Sequence, residues 1–218
     1  MKTQKRAPGR PKSDPDRGVE PRQILIETAA RLFGEKGYAE TSLREVASGA
    51  HVTPAMIAYY FKDKPGLLEA VTLSGLETLM DTVEAVVSDE DSDEAFVPRF
   101  IRAYLSTINR HPWIPQILMR EVVSRDTPLR QLFIDKFASR VLTIVPAKVA
   151  TEIESGRLRQ DLDARYTLLS LIGMCLFPYI AQPVLGPLLG YQFDEAFGRE
   201  YTEHTLALFL DGAAGAGS

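Results

Sequence analysis

Three helix-start signals crowd between Ser42 and Pro65, and they restrict the fold more than anything else in the chain. Ser42-Leu-Arg-Glu45 reads as a capping box, a serine hydroxyl for the third N–H of a helix and a glutamate reaching back to the serine N–H. Thr53 followed by Pro54 supplies an N-cap and a residue whose φ is already helical. Pro65 repeats the device. The spacing predicts one helix from Ser42 to about Ala50, a second from Pro54 to Tyr60, and a longer one after Pro65. Two helices this short, about three residues apart, make a helix-turn-helix; taken alone such a pair also serves as plain packing, and as a DNA-binding unit its second helix enters the major groove N-terminus first.

The flanks extend the helical pattern. Upstream, Ile24, Leu25, Thr28, Ala29, Leu32 and Phe33 recur on one helical face until Gly37, where a left-handed residue is needed and Tyr38 can fold back. Downstream, Leu68, Val71, Gly75, Leu79, Val83 and Val86 line a longer helix. An acidic run from Ser88 to Glu94 reads as a loop. Helical segments follow at about 95–110, 113–124, 127–155, 163–182 and 194–211, with Pro146 expected to kink or divide the third. No segment alternates as a strand does, so an all-α fold is expected.

Charge is unevenly shared. Residues 1–67 hold 12 basic and 8 acidic side chains, against 13 and 21 in the remainder. A basic end on an acidic body suits a polyanionic partner. An apolar share of 45% excludes a disordered chain, and one cysteine, Cys175, excludes an intrachain disulfide or a thiolate metal cluster. With no secretory leader in view, a reducing, cytoplasmic setting is expected. From Tyr166 to Phe193 there is no charge, yet Pro178, Pro183, Pro187 and Gly186 interrupt the run. A buried helix suits it better than a membrane span, because a break in lipid leaves backbone groups unpaired.

The residues of the helix-turn-helix carry DNA chemistry. Ser42, at a helix N-terminus, can offer its hydroxyl and nearby N–H groups to a phosphate. Arg44 can take a guanine or a phosphate. Thr53, Pro54 and Ala55 lead the recognition helix, small enough for close approach and able to touch thymine methyls. Tyr59 and Tyr60 offer hydroxyls to phosphates, and Lys64 adds a point charge, whereas Val46 and Phe61 read as core. In the arm, Pro8-Gly-Arg-Pro-Lys12 contains Arg10 and Lys12, which fit a narrow A·T minor groove or any phosphate.

From Ile24 to Leu68 the sequence resembles the TetR family of transcriptional repressors. The agreement is sharpest along Val52-Thr-Pro-Ala-Met-Ile-Ala-Tyr-Tyr-Phe-Lys-Asp-Lys64, with support from Leu32-Phe-Gly-Glu-Lys-Gly-Tyr38 and Thr41-Ser-Leu-Arg-Glu-Val-Ala47. Two positions depart from the family pattern: His51 where a turn glycine is usual, and Ala58 where a tyrosine commonly reaches DNA. The family's operator therefore does not carry over.

The resemblance implies a basic arm (1–20), a three-helix DNA-binding head (21–67), a helical effector-binding and dimerisation body (68–211) and a disordered tail (212–218). It implies a homodimer through the last two long helices, with Leu168, Leu169, Ile172 and Leu176 and the stripe Phe197, Tyr201 and Leu208 at the contact. It also implies a ligand pocket in each subunit; Trp113, Met119, Phe133, Phe137, Met174 and Phe177 read as core or as its apolar walls, and so aromatic and Met-rich a body points to an apolar or amphipathic small-molecule effector. Arg102, Arg120 and Glu121 are the candidate polar anchors.

An enzyme is not expected. His51, His111 and His204 have no metal-ligand spacing, Cys175 sits in an apolar run, and no nucleotide or nucleophile motif is present. No cofactor or metal is foreseen, and no membrane partner. The competing reading is a helical adaptor or membrane-surface protein without DNA binding.

Overall fold

The computed structural model describes residues 20–89, 92–124 and 126–213. Among them there is no β-strand. The chain opens with α1 (Pro21–Lys36), α2 (Leu43–Gly49), α3 (Pro54–Phe61) and α4 (Lys64–Ser88). It continues through α5 (Phe96–Arg110), α6 (Trp113–Ile117), α7 (Pro128–Phe133) and α8 (Ser139–Glu154). The last three are α9 (Ala164–Ile180), α10 (Gln182–Leu189) and α11 (Glu195–Ala213).

Two cores form. The head core joins Leu25, Ala29 and Phe33 of α1 to Val46 and Ala47 of α2 and Ile57 and Phe61 of α3. The body core runs from Leu79 and Val83 through Phe100, Ile101 and Ile108 to Leu168, Leu171 and Tyr179. Each fully buried Leu, Ile or Phe here stabilises by about 1.5–3 kcal/mol relative to exposure. The helix α4 serves both: Leu67, Leu68 and Val71 enter the head core, and Leu76 to Val86 the body core. One unbroken helix thus ties head to body.

Several expectations need correction. Pro146 does not divide the long segment; it lies inside α8. The irregularity falls earlier, where Leu118–Val123 and Ile134–Ala138 are π-helical. Val184 to Leu189, expected to be broken by proline, lies in α10, with Pro183 at its start where a missing N–H does no harm. The tail is helical as far as Ala213. Thr53 occupies the N-cap of α3 without using its side chain. The cap of α4 is Asp63, whose carboxylate accepts from Gly66 N–H at 2.9 Å, with Pro65 in the first turn.

Helix geometry also corrects the stripe on α11. Successive residues rotate by about 100°, so Phe197, Tyr201 and Leu208 do share a side. That side only flanks the buried face, which centres on Gly198, Thr205 and Leu206. Phe197 and Tyr201 therefore turn into the body core while Leu208 stays exposed. A Cβ on Gly198 would stand 2.3 Å from the Asn109 carboxamide carbon, so glycine is what lets α11 reach α5. On α9, Leu168 is buried, Ile172 and Leu176 are half-buried, and Leu169 is exposed.

Among the described residues, no single helix is long and apolar enough to cross a membrane. Together α9 and α10 have the length and composition, but the chain bends by 69° between them.

Candidate nucleic-acid interface and effector cleft

The recognition helix is aimed by the elements that precede it. The Ser42 hydroxyl accepts from Glu45 N–H at 3.2 Å, and Glu45 accepts from Ser42 N–H at 2.8 Å, completing the capping box of α2. Lys36, at the end of α1, pairs with the same carboxylate at 2.9 Å. The Ser42 N–H foremost, then Lys36, hold the Glu45 carboxyl down at about 2. Buried Thr41 donates to the carbonyls of Leu32 and Gly37 and so closes α1 onto the next loop. The sequence placed Thr41 in the family stretch but gave no sign of this role beyond a hydroxyl next to the cap.

His51 makes the α2–α3 turn at φ 54°, the left-handed geometry that the usual glycine would supply. A second strained point was not foreseen. Lys62, at φ 70° and ψ −57°, centres a tight turn in which Asp63 N–H donates to the Phe61 carbonyl at 2.8 Å. Gly66 is required beside it, because a Cβ there would lie 2.1 Å from the same carbonyl.

Most of the predicted contact residues are open to solvent. Ser42, Arg44, Thr53, Pro54 and Ala55 are exposed, and Tyr59 is 82% exposed. Tyr60 is half-buried, edge-on to Tyr59 with ring centroids 4.9 Å apart. Lys64 is partly committed: its ammonium donates to the Ala39 carbonyl at 3.2 Å and lies 4.4 Å from the Tyr38 ring centroid. Arg10 and Lys12 lie outside the described residues.

The nine candidate effector residues are not gathered in one place. Phe137 is buried in the body core, Met119, Arg120 and Phe177 are exposed, and Arg102 pairs with Glu94. Glu121 is buried, while Phe133 and Met174 are half-buried. Of the nine, Trp113 alone lines a cleft of about 940 Å³ between α1 of the head and α10 of the body. Its other walls come from Arg31 and Glu35, Arg110, Gln116 and the Pro183–Phe193 stretch. Residues on the prolines' segment were read only as core or interface, so the cleft was not legible in advance.

Trp113 is wedged between the two domains. A Cβ on Gly34 of α1 would lie 2.7 Å from the Trp113 Cβ, and one on Gly75 of α4 would lie 3.0 Å from the indole ring. The cleft wall therefore touches a head helix and the connecting helix at once. Among the described residues no cluster of His, Cys, Asp and Glu is arranged to hold a metal, and burial raises the Cys175 thiol to about 12.

Comparison with known proteins agrees with this geometry. Residues 25–71 match the family described as bacterial regulatory proteins, tetR family. A probable HTH-type transcriptional regulator, YttP of Bacillus subtilis (strain 168), is 26% identical over 182 residues, 82% of this chain and 86% of that one. The ketosteroid transcriptional regulator KstR2 of Mycobacterium tuberculosis superposes with a TM-score of 0.74 at 18% identity, over 90% of this chain and 96% of its own. The regulator AibR, solved with isovaleryl coenzyme A and operator DNA, superposes with a TM-score of 0.68 at 21% identity, over 87% and 97%. At such identities the two superpositions speak for the fold.

Proposed function

The chain belongs to the TetR family of transcriptional regulators, and from that premise we propose a ligand-released repressor acting in the cytoplasm. A homodimer sets two copies of α3 into successive major grooves of a palindromic operator, with half-sites about 34–36 Å apart or a multiple of that. The observation that carries this reading is the exposed edge of α3. Thr53 and Pro54 lie exposed at its N-terminal end, and Ala55 and Tyr59 project from the side opposite Ile57 and Phe61, which are locked into the head core.

Dimerisation is assigned to α9 and α11. Tyr166, Leu169 and Phe177 form one apolar stripe on α9, with Phe177 61% exposed, and Leu208 lies exposed on α11. Gly173 sits in that stripe with open space before it, leaving room for a partner helix.

The effector is a small apolar or amphipathic molecule that enters the cleft against Trp113. AibR is recorded with both an acyl thioester ligand and operator DNA, which favours the same two-ligand logic here. An effector that prefers a different setting of head on body draws the population from the DNA-competent state, by no more than its differential affinity, typically about 1–3 kcal/mol. The unbroken α4 transmits that setting.

Fluorescence-anisotropy titration of DNA from just upstream of the coding region tests the reading, with a scrambled duplex and a salt series beside it. Tight binding absent from the scrambled duplex and falling steeply with salt is expected. A folded dimer that binds neither duplex at low salt would overturn the assignment and favour the adaptor reading.

A further inference from the structure

We propose that the cleft between α1 and α10 takes an anionic amphiphile, a carboxylate or phosphate on an apolar body, with Arg110 as the anchor. The proposal rests on the reading that an effector enters this cleft, and adds the chemistry that the cleft selects.

Arg110 stands in the last turn of α5 and lines the cleft. Its Nε donates to the Ser106 carbonyl at 3.3 Å, and among the described residues its two terminal nitrogens meet no acceptor. They form the fork that recognises carboxylate and phosphate oxygens in pairs. From α1, Arg31 contributes a second guanidinium to the lining, held at 3.2 Å by Glu35, both side chains being more than half exposed. Glu35 is the one acid lining the cleft, so two cations face one anion.

The lining also has an apolar part. Trp113, Phe193, Pro183 and Pro187 supply it, and the one carboxamide that reaches in from α6, Gln116, spends its NH2 on the Tyr179 carbonyl at 2.7 Å. A neutral apolar guest leaves the Arg110 fork unused, and a cationic one meets two like charges. An anionic amphiphile fits both parts. Because Arg31 belongs to the head and Arg110 to the body, such a ligand also spans the junction whose setting decides DNA binding.

Trp113 is the only tryptophan in the chain, so its emission reports occupancy of this cleft directly. The full-length protein is titrated with octanoate, octyl phosphate and octanamide. An anion is expected to bind at least about tenfold tighter than the amide, as a charge-assisted fork requires; the order of octanoate and octyl phosphate tells which head group is meant. Arg110→Gln is expected to abolish that advantage while octanamide binding, which doubles as the check on folding, persists. Glu35→Gln is expected to tighten anion binding by a few-fold, since it frees Arg31. Equal binding of all three probes, no response to any, or an anion preference that survives Arg110→Gln would each overturn the proposal. Anions that bind with the expected preference and yet leave the operator complex intact support the ligand class and overturn the effector reading.

Discussion

The Tyr201 hydroxyl donates to the Met174 carbonyl at 2.8 Å, joining α11 to α9 where a proline stops α9 from bonding to itself. Residue 178 is proline, so the N–H that would meet the Met174 carbonyl does not exist. Gln116 does the same for the Tyr179 carbonyl, whose helical partner would have been Pro183. The uncharged, proline-interrupted stretch is thus satisfied by side chains from elsewhere in the body. Tyr201→Phe should lower stability by about 1–3 kcal/mol in urea unfolding, because the carbonyl loses its partner in a half-buried position.

A second remote bond predicts a similar loss. No side chain next to the start of α5 caps it, and buried Glu152 of α8 does so instead. Its carboxylate accepts from Phe96 N–H at 2.6 Å and Val97 N–H at 3.3 Å. Glu152→Ala should destabilise by about 1.5–3 kcal/mol, the range for bonds to a charged group, measured by the same unfolding.

Gly34→Ala should disturb the junction between head and body. The new Cβ would stand 2.7 Å from the Trp113 Cβ and 3.2 Å from its Cα, which is backbone and cannot turn aside. Overpacking of this kind is expected to cost about 1–3 kcal/mol and to shift the Trp113 emission maximum. An unchanged melt and spectrum would show that the two helices separate freely.

The capping box of α2 gives the head a defined acid sensitivity. Glu45 falls from its ordinary 4.5 to about 2 because Ser42 N–H and Lys36 favour the ionised form. A carboxyl depressed on folding stabilises fully above its unfolded value and loses that stabilisation as pH falls from there through the folded value. The melting-temperature gap between the wild type and Glu45→Gln should therefore be present near neutral pH and narrow by about pH 3. A constant gap would contradict the assignment.

Two substitutions separate positioning from readout on DNA. Tyr59→Phe removes a hydroxyl from an exposed ring and should weaken binding to all duplexes alike, whereas Arg44→Ala should relax preference at particular base pairs. Anisotropy against operator variants distinguishes the two. Uniform effects from both would make Arg44 a phosphate contact.

What the sequence determined by itself is local. A capping box, a Thr-Pro start and a glycine stop act within one or two turns, so Ser42, Glu45, Pro54 and Gly37 announced the head's helices and the exposed edge of α3 without help from distant residues. His51 likewise showed its turn through its own tolerance of positive φ. The tertiary structure decided the rest, because it depends on which distant groups meet. Periodicity put Phe197, Tyr201 and Leu208 on one side of α11, but only packing against α5 at Gly198 fixed that Phe197 and Tyr201 turn inward. Prolines that looked like breaks became tolerable through Tyr201 and Gln116, far away in the chain. The cleft, too, exists only where Arg31, Arg110, Trp113 and α10 converge, and no spacing along the chain encodes that convergence.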